Sequence, residues 1–288
     1  MQSKKNFTYI AATLLCLIVL ASASFAATNP LNLPRGLAVD ASGNLWVANA
    51  GTNSILAFSP TYKQLTSETI TANVSEPTDV AFDSLGNLWV ANFFPASVTE
   101  YTNGVQDTNA TLNTDIPAPG AIAVDGLNNV WIASNVNNEG SIAVYQPSAV
   151  YGPANHLQDS FGPYAAPFYG IKVASGNLVW GNGAALNFAP ASSTLTSGAI
   201  DGVPVGGTNT ATYLAAAANG TIYFATTSNT INYAIPAAYG EAFLFLELSF
   251  SPTGIAVDSV RGRIYVANGS GDSISVYSTD GKLLHTIK

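Results

Sequence analysis

The chain has 288 residues, of which 48% are hydrophobic and only 9% are charged, and its formal net charge is −8. An acidic chain repels the phosphate backbone, so we expect no nucleic-acid partner. The single cysteine allows neither an internal disulfide nor a cysteine-based zinc site.

The N-terminus has the pattern of a secretory signal peptide. Two lysines precede an apolar run at residues 10–20, and small residues follow as far as Ala26. The run is too short to span a bilayer comfortably, and the chain after it is polar. We therefore predict a signal peptide over residues 1–26, a secreted or periplasmic location, and no stable membrane insertion of the mature chain. A retained anchor is the alternative.

One sequence phrase recurs along the rest of the chain. Residues 37–49 read LAVDASGNLWVAN and residues 80–92 read VAFDSLGNLWVAN. Two further close copies occupy residues 122–135 and 255–268, and degenerate copies occupy residues 171–182 and 214–226. Aligning the copies on one position superposes Trp46, Trp89, Trp131, Val179, Tyr223 and Tyr265. The spacing, roughly 40 to 50 residues, is typical of a propeller blade.

Each copy predicts short strands separated by tight turns, because β-branched and aromatic runs alternate with Gly- and Asn-containing segments. The fold class is predicted to be all-β, a six-bladed β-propeller of four-stranded blades, in a single domain at residues 27–288. The outer strands are weaker and are expected at residues 64–71, 243–249 and 282–287 of the first, fifth and last copies. The apolar residues that flank the repeated aromatics predict that these side chains are buried.

The Asp of the phrase is assigned to turn formation. Asp40 precedes Gly43, and Asp83 precedes Gly86, at a spacing that lets the carboxylate accept backbone N–H bonds while Gly takes a positive φ. The fourth and fifth copies lack this Asp, and looser turns are expected there.

The phrases PRGLAVD at residues 34–40, PTGIAVD at residues 252–258 and RIYVAN at residues 263–268 resemble NHL repeats. The resemblance covers nearly the whole chain after residue 26 and implies a propeller. It does not select a function, because NHL-like propellers include nucleic-acid binders, protein-binding modules and extracellular lyases.

The enzymes of this kind use residues that the chain largely lacks. Gluconolactonase-type propellers hold a divalent cation at the channel mouth, where Asp79 would be the one acidic residue among the aligned positions Arg35, Asp79, Ala121, Gly170, Tyr213 and Gly254. Streptogramin-lyase-like propellers rely on His and Glu, and neither His156 nor His285 falls at a repeated inner position. We therefore predict no catalytic residue, no metal site and no cofactor.

A ring of amides is the first candidate binding feature. The residues assigned to the end of the second strand are Asn49, Asn92, Asn135, Asn182 and Asn268, with Thr226 in the fifth copy. With Arg35 and Asp79 they would line a neutral polar funnel suited to a sugar or a peptide backbone. The alternative is that each Asn bonds its own turn.

Lys172 is the second candidate, because the five aligned residues are all alanine. A buried unpaired charge is costly, so its ammonium group should reach the channel or find a carboxylate. Alternatively, the side chain extends to solvent.

These features favour a secreted, monomeric propeller that acts as a binding or scaffold module for a protein, peptide or carbohydrate ligand. The competing hypothesis is a lactonase- or lyase-type enzyme with an atypical central site.

The exported protein should begin near Ala27 and contain no disulfide, because the predicted signal peptide removes Cys16. Intact-mass spectrometry of the exported protein tests this. A mass that retains Met1, or that includes an acyl chain on Cys16, would contradict it.

Overall fold

The structure is a computed structural model that describes residues 28–112, 117–136, 139–146, 156–164, 170–182, 185–191, 201–204, 210–235 and 241–288. Leu31–Lys288 form one compact unit. The named elements of its described part are β-strands and short 3-10 helices, which confirms the all-β prediction. No helix in that part is long and apolar enough to cross a membrane. The predicted signal peptide lies outside the described residues.

The strands form six antiparallel sheets, numbered here from first to sixth along the chain. The first contains β1 (Pro34–Val39), β2 (Leu45–Asn49) and β3 (Ser54–Phe58), and the second contains β4 (Pro77–Phe82), β5 (Leu88–Asn92), β6 (Ser97–Thr102) and β7 (Val105–Leu112). The third contains β8 (Pro119–Val124), β9 (Val130–Val136), β10 (Glu139–Tyr145) and β11 (His156–Tyr164). The fourth contains β12 (Ile171–Ala174), β13 (Asn177–Asn182), β14 (Ala185–Pro190) and β15 (Asp201–Pro204). The fifth contains β16 (Ala211–Ala216), β17 (Ile222–Thr226), β18 (Thr230–Ala234) and β19 (Phe243–Glu247), and the sixth contains β20 (Gly254–Asp258), β21 (Arg263–Asn268), β22 (Ser273–Ser278) and β23 (Leu283–Ile287).

The strand register reproduces the sequence alignment of the six copies. Trp46 on β2 lies opposite Ala38 on β1, and the same pairing joins an alanine to the aligned aromatic residue in the second, third, fifth and sixth sheets. In the fourth sheet Val179 lies opposite Lys172. The six copies therefore occupy equivalent places in six sheets.

The core is divided into clusters that each join two consecutive sheets. Within the described residues, five clusters link the first sheet to the second and so on up to the sixth. A further cluster contains Tyr265 and Val276 of the sixth sheet together with Leu37 and Leu45 of the first. Each sheet thus buries both faces against its neighbours, as the apolar sequence on both sides of the aromatics predicts.

The repeated aromatics lie in these clusters. Trp46, Trp89, Trp131 and Tyr265 are all buried, with exposed fractions of 9%, 1%, 0% and 1%. Tyr223 is half-buried and contacts Phe245 on the outer strand, with ring centroids 5.4 Å apart. Burial is therefore confirmed for four of the five aromatic residues.

The turns between first and second strands follow the predicted chemistry where Asp is present. Asp40 accepts the backbone N–H groups of Ser42 and Asn44 at 2.9 and 2.8 Å, and Gly43 has a φ of +85°. The equivalent carboxylates in the second, third and sixth sheets accept backbone N–H groups in the same way.

The expectation of looser turns in the fourth and fifth sheets is wrong. In the fourth sheet Ser175 and Gly176 alone connect β12 to β13, and both have positive φ, as the tightest hairpins require. In the fifth sheet Ala217 makes the same backbone bonds to Gly220 and Thr221 as Asp40 makes in its own turn. Backbone hydrogen bonds suffice to close these turns without the carboxylate.

The first sheet differs from the prediction at its outer edge. Residues 64–71 form no fourth strand. They contribute two isolated bridges, Phe58 with Gln64 and Ile55 with Ile70. A 3-10 helix at Thr66–Glu68 separates the bridges and carries exposed polar side chains. The helical turn interrupts the ladder, so this sheet has three strands. The predicted outer strands of the fifth and sixth sheets are present as β19 and β23.

Replacing Trp89 with Ala should lower the free energy of unfolding by about 3 to 5 kcal/mol, because a large side chain is removed from a filled core. Chemical denaturation of both proteins measures the difference. Leu85→Ala is the control within the same sheet, since Leu85 is 78% exposed and surface changes usually stay within about 0.5 kcal/mol. Equal effects of the two substitutions would contradict the core assignment.

Candidate functional site

The innermost strands of all six sheets, β1, β4, β8, β12, β16 and β20, line one central cavity of about 260 Å³. Its walls are made of small and aliphatic side chains, chiefly alanine and valine, with Lys172 as the charged member. The alanines lie at the aligned position of every sheet except the fourth. Their small size leaves the cavity open and gives Lys172 room to enter it.

Lys172 forms an ion pair with Asp79 inside this channel. The distance between Lys172 Nζ and Asp79 Oδ2 is 3.2 Å, and the two side chains are 18% and 11% exposed. Nζ also donates to the carbonyl oxygen of Ile122 at 3.1 Å. Of the alternatives that the sequence left open for Lys172, the structure shows the one in which its ammonium group finds a carboxylate.

Backbone groups complete the environment of the pair. Asp79 Oδ2 accepts the N–H of Ile122 at 3.1 Å, and Oδ1 accepts the N–H of Val80 at 2.9 Å. The pair thus connects β4, β8 and β12, which belong to three different sheets. Partly buried charges are tolerated when hydrogen bonds satisfy them in this way. An ammonium group has three donors, and within the described residues two of those of Lys172 are used.

Asp79 lies at the narrow end of the channel. There a small cavity of about 10 Å³ is lined by Asp79 together with Gly36, Gly170, Tyr213 and Gly254. A Cβ atom on Gly36 would lie 2.2 Å from Asp79 Oδ1 and 2.4 Å from its Cα. The glycine is therefore needed for the close approach of the first and second sheets at this point.

The strand register corrects the position assigned to Arg35. Because Leu37 lies opposite Val47 and Val80 lies opposite Val90, the residue equivalent to Asp79 in the first sheet is Gly36. Arg35 is half-buried and precedes that position by one residue. The same β-bulge follows Pro34 in the first sheet and Pro77 in the second, so it does not shift the alignment, and Arg35 is the equivalent of Thr78.

The amides of Asn49 and Asn92 are buried and bond neighbouring loops. Asn49 Oδ1 accepts the N–H of Asn32 at 2.7 Å, and its Nδ2 donates to Thr52 at 2.6 Å. Asn92 does the same with the N–H of Ser75 and with hydroxyl groups on β6. Their exposed fractions are 0% and 1%, so both side chains serve the loops rather than the channel.

The remaining amides do not form a continuous ring with these two. Asn268 accepts the N–H of Gly271 at 3.0 Å within its own turn. In the third sheet the equivalent of Asn49 is Ser134 and not Asn135, because Ser134 lies opposite Pro119 as Asn49 lies opposite Pro34. The hydroxyl group of Ser134 donates to the carbonyl oxygen of Pro117. The side chains of Asn135 and Asn182 lie outside the described part. A ligand role for these residues stays a prediction.

The wide end of the channel carries a second charged pair that the sequence did not suggest. A depression of about 480 Å³ is lined there by the turns of the first, fourth, fifth and sixth sheets. Arg261 Nη1 lies 3.1 Å from Asp258 Oδ2, and its Nη2 donates to the carbonyl oxygen of Ser42 at 3.0 Å. Arg261 thus connects the turn of the sixth sheet to that of the first.

Histidine and clustered acids are not found at the channel in the described residues. His285 on β23 stacks on Tyr62 with ring centroids 4.3 Å apart, and His156 has its side chain outside the described part. No group of three or more His, Cys, Asp or Glu side chains in the part of the chain that is described has the arrangement of a metal site.

Residues 31–58 match the family model described as the NHL repeat. The model thus matches one of the six sequence copies, the one that forms the first sheet. Streptogramin B lyase is similar at 14% identity and a TM-score of 0.64, with 92% of this chain and 85% of that chain covered. A chain of a nidogen/laminin complex is similar at 17% identity and a TM-score of 0.61, with 82% and 90% covered. Hydrazine synthase of Kuenenia stuttgartiensis is similar at 13% identity and a TM-score of 0.62, with 90% and 80% covered.

These likenesses show that the chain has the β-propeller fold, and at such low identity they show the fold alone. No curated protein matches the chain in sequence. The channel described above is therefore the central channel of a propeller.

Outside the channel, the protein buries a carboxyl group at Glu100 on β6. Glu100 lies opposite Trp89 and is 7% exposed, and the aligned residues in the first, third and sixth sheets are Ala57, Val144 and Val276. Burial, followed by the negative charges of Asp83 and Asp107, raises the pKa of Glu100 from 4.5 to about 7, while a hydrogen bond from Asn87 opposes the shift.

The pKa of Glu100 predicts that the propeller becomes less stable as the pH rises. The folded state binds the proton more tightly than the unfolded state, so the free energy of unfolding should fall between about pH 4.5 and pH 7. Glu100→Gln should remove this slope and raise stability at pH 8. Denaturation across that pH range, with exposed Glu241 changed to Gln as control, measures it. An unchanged slope in Glu100→Gln would contradict the assignment.

The ion pair in the channel predicts non-additive effects on stability. Lys172→Ala or Asp79→Ala alone leaves a partly buried charge without its partner, whereas the double variant has small residues like those of the other sheets. A double-mutant cycle by denaturation should give a coupling free energy of about 0.5 to 3 kcal/mol. Simple addition of the two single effects would show that the pair contributes nothing.

Proposed function

We propose that this protein is a closed, six-bladed NHL propeller, exported to the periplasm or the cell exterior, that binds a peptide, protein or carbohydrate ligand at its central channel. The location rests on the signal-like N-terminus, and the ligand site rests on the charged pair in the channel.

The packing of the sheets supports closure. Clusters join each sheet to the next, and one cluster joins the sixth sheet to the first. Two hydrogen bonds add to that last junction: Thr253 Oγ1 donates to the carbonyl oxygen of Pro34 at 2.7 Å, and Arg263 Nη1 donates to that of Pro60 at 2.6 Å. A ring in which every sheet has two neighbours accounts for these contacts.

One donor of Lys172 has no partner among the described residues, and this observation carries the binding proposal. It belongs to an ammonium group whose charge Asp79 balances, in a cavity whose other walls are apolar. Such a site favours a neutral group with an acceptor oxygen, such as a peptide carbonyl or a sugar hydroxyl, because the donor is satisfied without a second net charge. The pair also fixes the direction of the ammonium group, which lowers the entropy cost of binding.

An enzyme of the lyase type is the alternative, since streptogramin B lyase is among the similar structures. A chain of a nidogen/laminin complex is also among the similar structures, so the fold is compatible with an enzyme and with a binding module. Binding is favoured, because the one carboxylate among the described residues that line the two channel cavities is already paired with Lys172, and no histidine lies among those residues.

The proposal is tested with an oligosaccharide array and a library of unstructured peptides, probed with the wild type and with the double variant Asp79→Ala, Lys172→Ala. We expect wild-type binding that the double variant loses by at least tenfold, because the donor and its orienting partner are gone. A surface double variant, Glu241→Ala with Lys282→Ala, removes one charge of each sign elsewhere and should bind normally.

Equal binding by the wild type and the channel variant would overturn the channel site. Turnover of a streptogramin or a lactone by the wild type, lost in the channel variant, would establish the enzyme instead.

A further inference from the structure

A second cavity lies between the first and second sheets, outside the central channel. Its volume is about 340 Å³. Trp46, Phe82 and Tyr101 form aromatic walls, and Ile70 and Leu88 add aliphatic surface. The rings of Trp46 and Phe82 meet edge to face, with centroids 5.7 Å apart and an interplanar angle of 76°. We call this cavity the inter-sheet pocket.

The first sheet departs from the repeat in two ways beside the pocket. The residue opposite Trp46 on the third strand is Ala57, whereas the aligned residues of the other five sheets are larger: Glu100, Val144, Phe188, Tyr233 and Val276. The outer strand is also replaced by the 3-10 helix at Thr66–Glu68. This segment contributes Glu68 and Ile70 to the lining of the pocket.

The exposure of the tryptophan agrees with this account. Trp46 is 9% exposed, whereas Trp89, Trp131 and Tyr265 at the aligned positions are at most 1% exposed. The pocket therefore gives access to an aromatic side chain whose equivalents in the second, third and sixth sheets are buried completely.

Three carboxylates also line the pocket, those of Asp40, Glu68 and Asp83, and no described lining residue is basic. Asp40 and Asp83 are held by backbone N–H groups of their own turns, and Asp40 Oδ2 also accepts the indole N–H of Trp46 at 2.9 Å. These donors are neutral, so they orient the carboxylates without cancelling their charge. None of the three carboxylates takes part in either ion pair of the described residues.

Aromatic rings beside uncompensated carboxylates form a site for a cation. The ring faces attract a positive charge and stack on an apolar body, and the carboxylates add a direct electrostatic term. The volume is at the low end of the range for small-molecule sites. We propose that the inter-sheet pocket binds a small organic cation, an ammonium group carried on an aromatic or aliphatic body.

The test uses phenylethylammonium as the probe, with 2-phenylethanol as its neutral analogue and phenylacetate as its anionic analogue. Binding to the purified protein is followed by calorimetry and by the NMR resonance of the Trp46 indole N–H, assigned with Trp46→Phe. We expect a Kd below about 1 mM for the ammonium probe, a shift of the Trp46 resonance, and at least tenfold weaker binding of both analogues.

Variants separate the charge of the pocket from the charge of the whole protein. Glu68→Lys reverses an exposed pocket charge and should abolish binding, while Glu247→Lys makes the same change in net charge on β19 and should leave the affinity unchanged. The channel variant Asp79→Ala, Lys172→Ala should also bind the probe normally, so this test is independent of the proposed ligand site in the channel.

Three results would overturn the proposal. They are no binding of the ammonium probe at millimolar concentration, equal affinity for the charged and neutral probes, and retention of binding by Glu68→Lys. Equal affinity would show that the pocket is a general apolar cavity.

Discussion

Burial of both faces of every sheet is the constraint on which this structure depends. An isolated four-stranded sheet with apolar residues on both faces cannot be stable in water, because both faces would expose apolar surface. Each sheet here covers one face of the next, and the large side chains at the Trp46 position fill the space between them. The stability of the molecule is therefore shared among interfaces that repeat one sequence pattern.

The two candidate sites lie where that repeat is broken. In the channel, a lysine replaces the alanine found in the other five sheets, and an aspartate occupies a position that is glycine in three of them. Between the first and second sheets, Ala57 stands where the other sheets have larger side chains. The long charged side chain of Lys172 at a position otherwise held by alanine gives the channel its hydrogen-bond donor. The 3-10 helix in place of an outer strand supplies Glu68 to the inter-sheet pocket.

The turn aspartates have a structural role and also set the charge of the inter-sheet pocket. Asp40 is placed by the need to close a hairpin, and its carboxylate accepts neutral donors. The same hydrogen bonds leave a fixed negative charge beside Trp46. Asp40 thus closes its own turn and also places a negative charge at the surface of the inter-sheet pocket. Asp83 acts similarly, and it also helps to raise the pKa of buried Glu100.

The sequence by itself determined the six copies of one strand pattern and the strand that carries the repeated aromatic. It also determined the burial of four of the five aromatics, all except Tyr223, because apolar residues flank them on both sides. For Lys172 it left open a place in the channel, a carboxylate partner or extension to solvent. Tertiary structure decided that the partner is Asp79, 93 residues away in sequence, and that Asn49 and Asn92 bond loops rather than the channel.

Gly36 and Asp79 each lie four residues before the Asp of their own phrase, so the sequence already contained their equivalence, and the strand register established it. A 3-10 helix replaced the expected outer strand of the first sheet. The formation of an edge strand depends on contacts between chain segments far apart in sequence, and a repeat pattern does not specify those contacts.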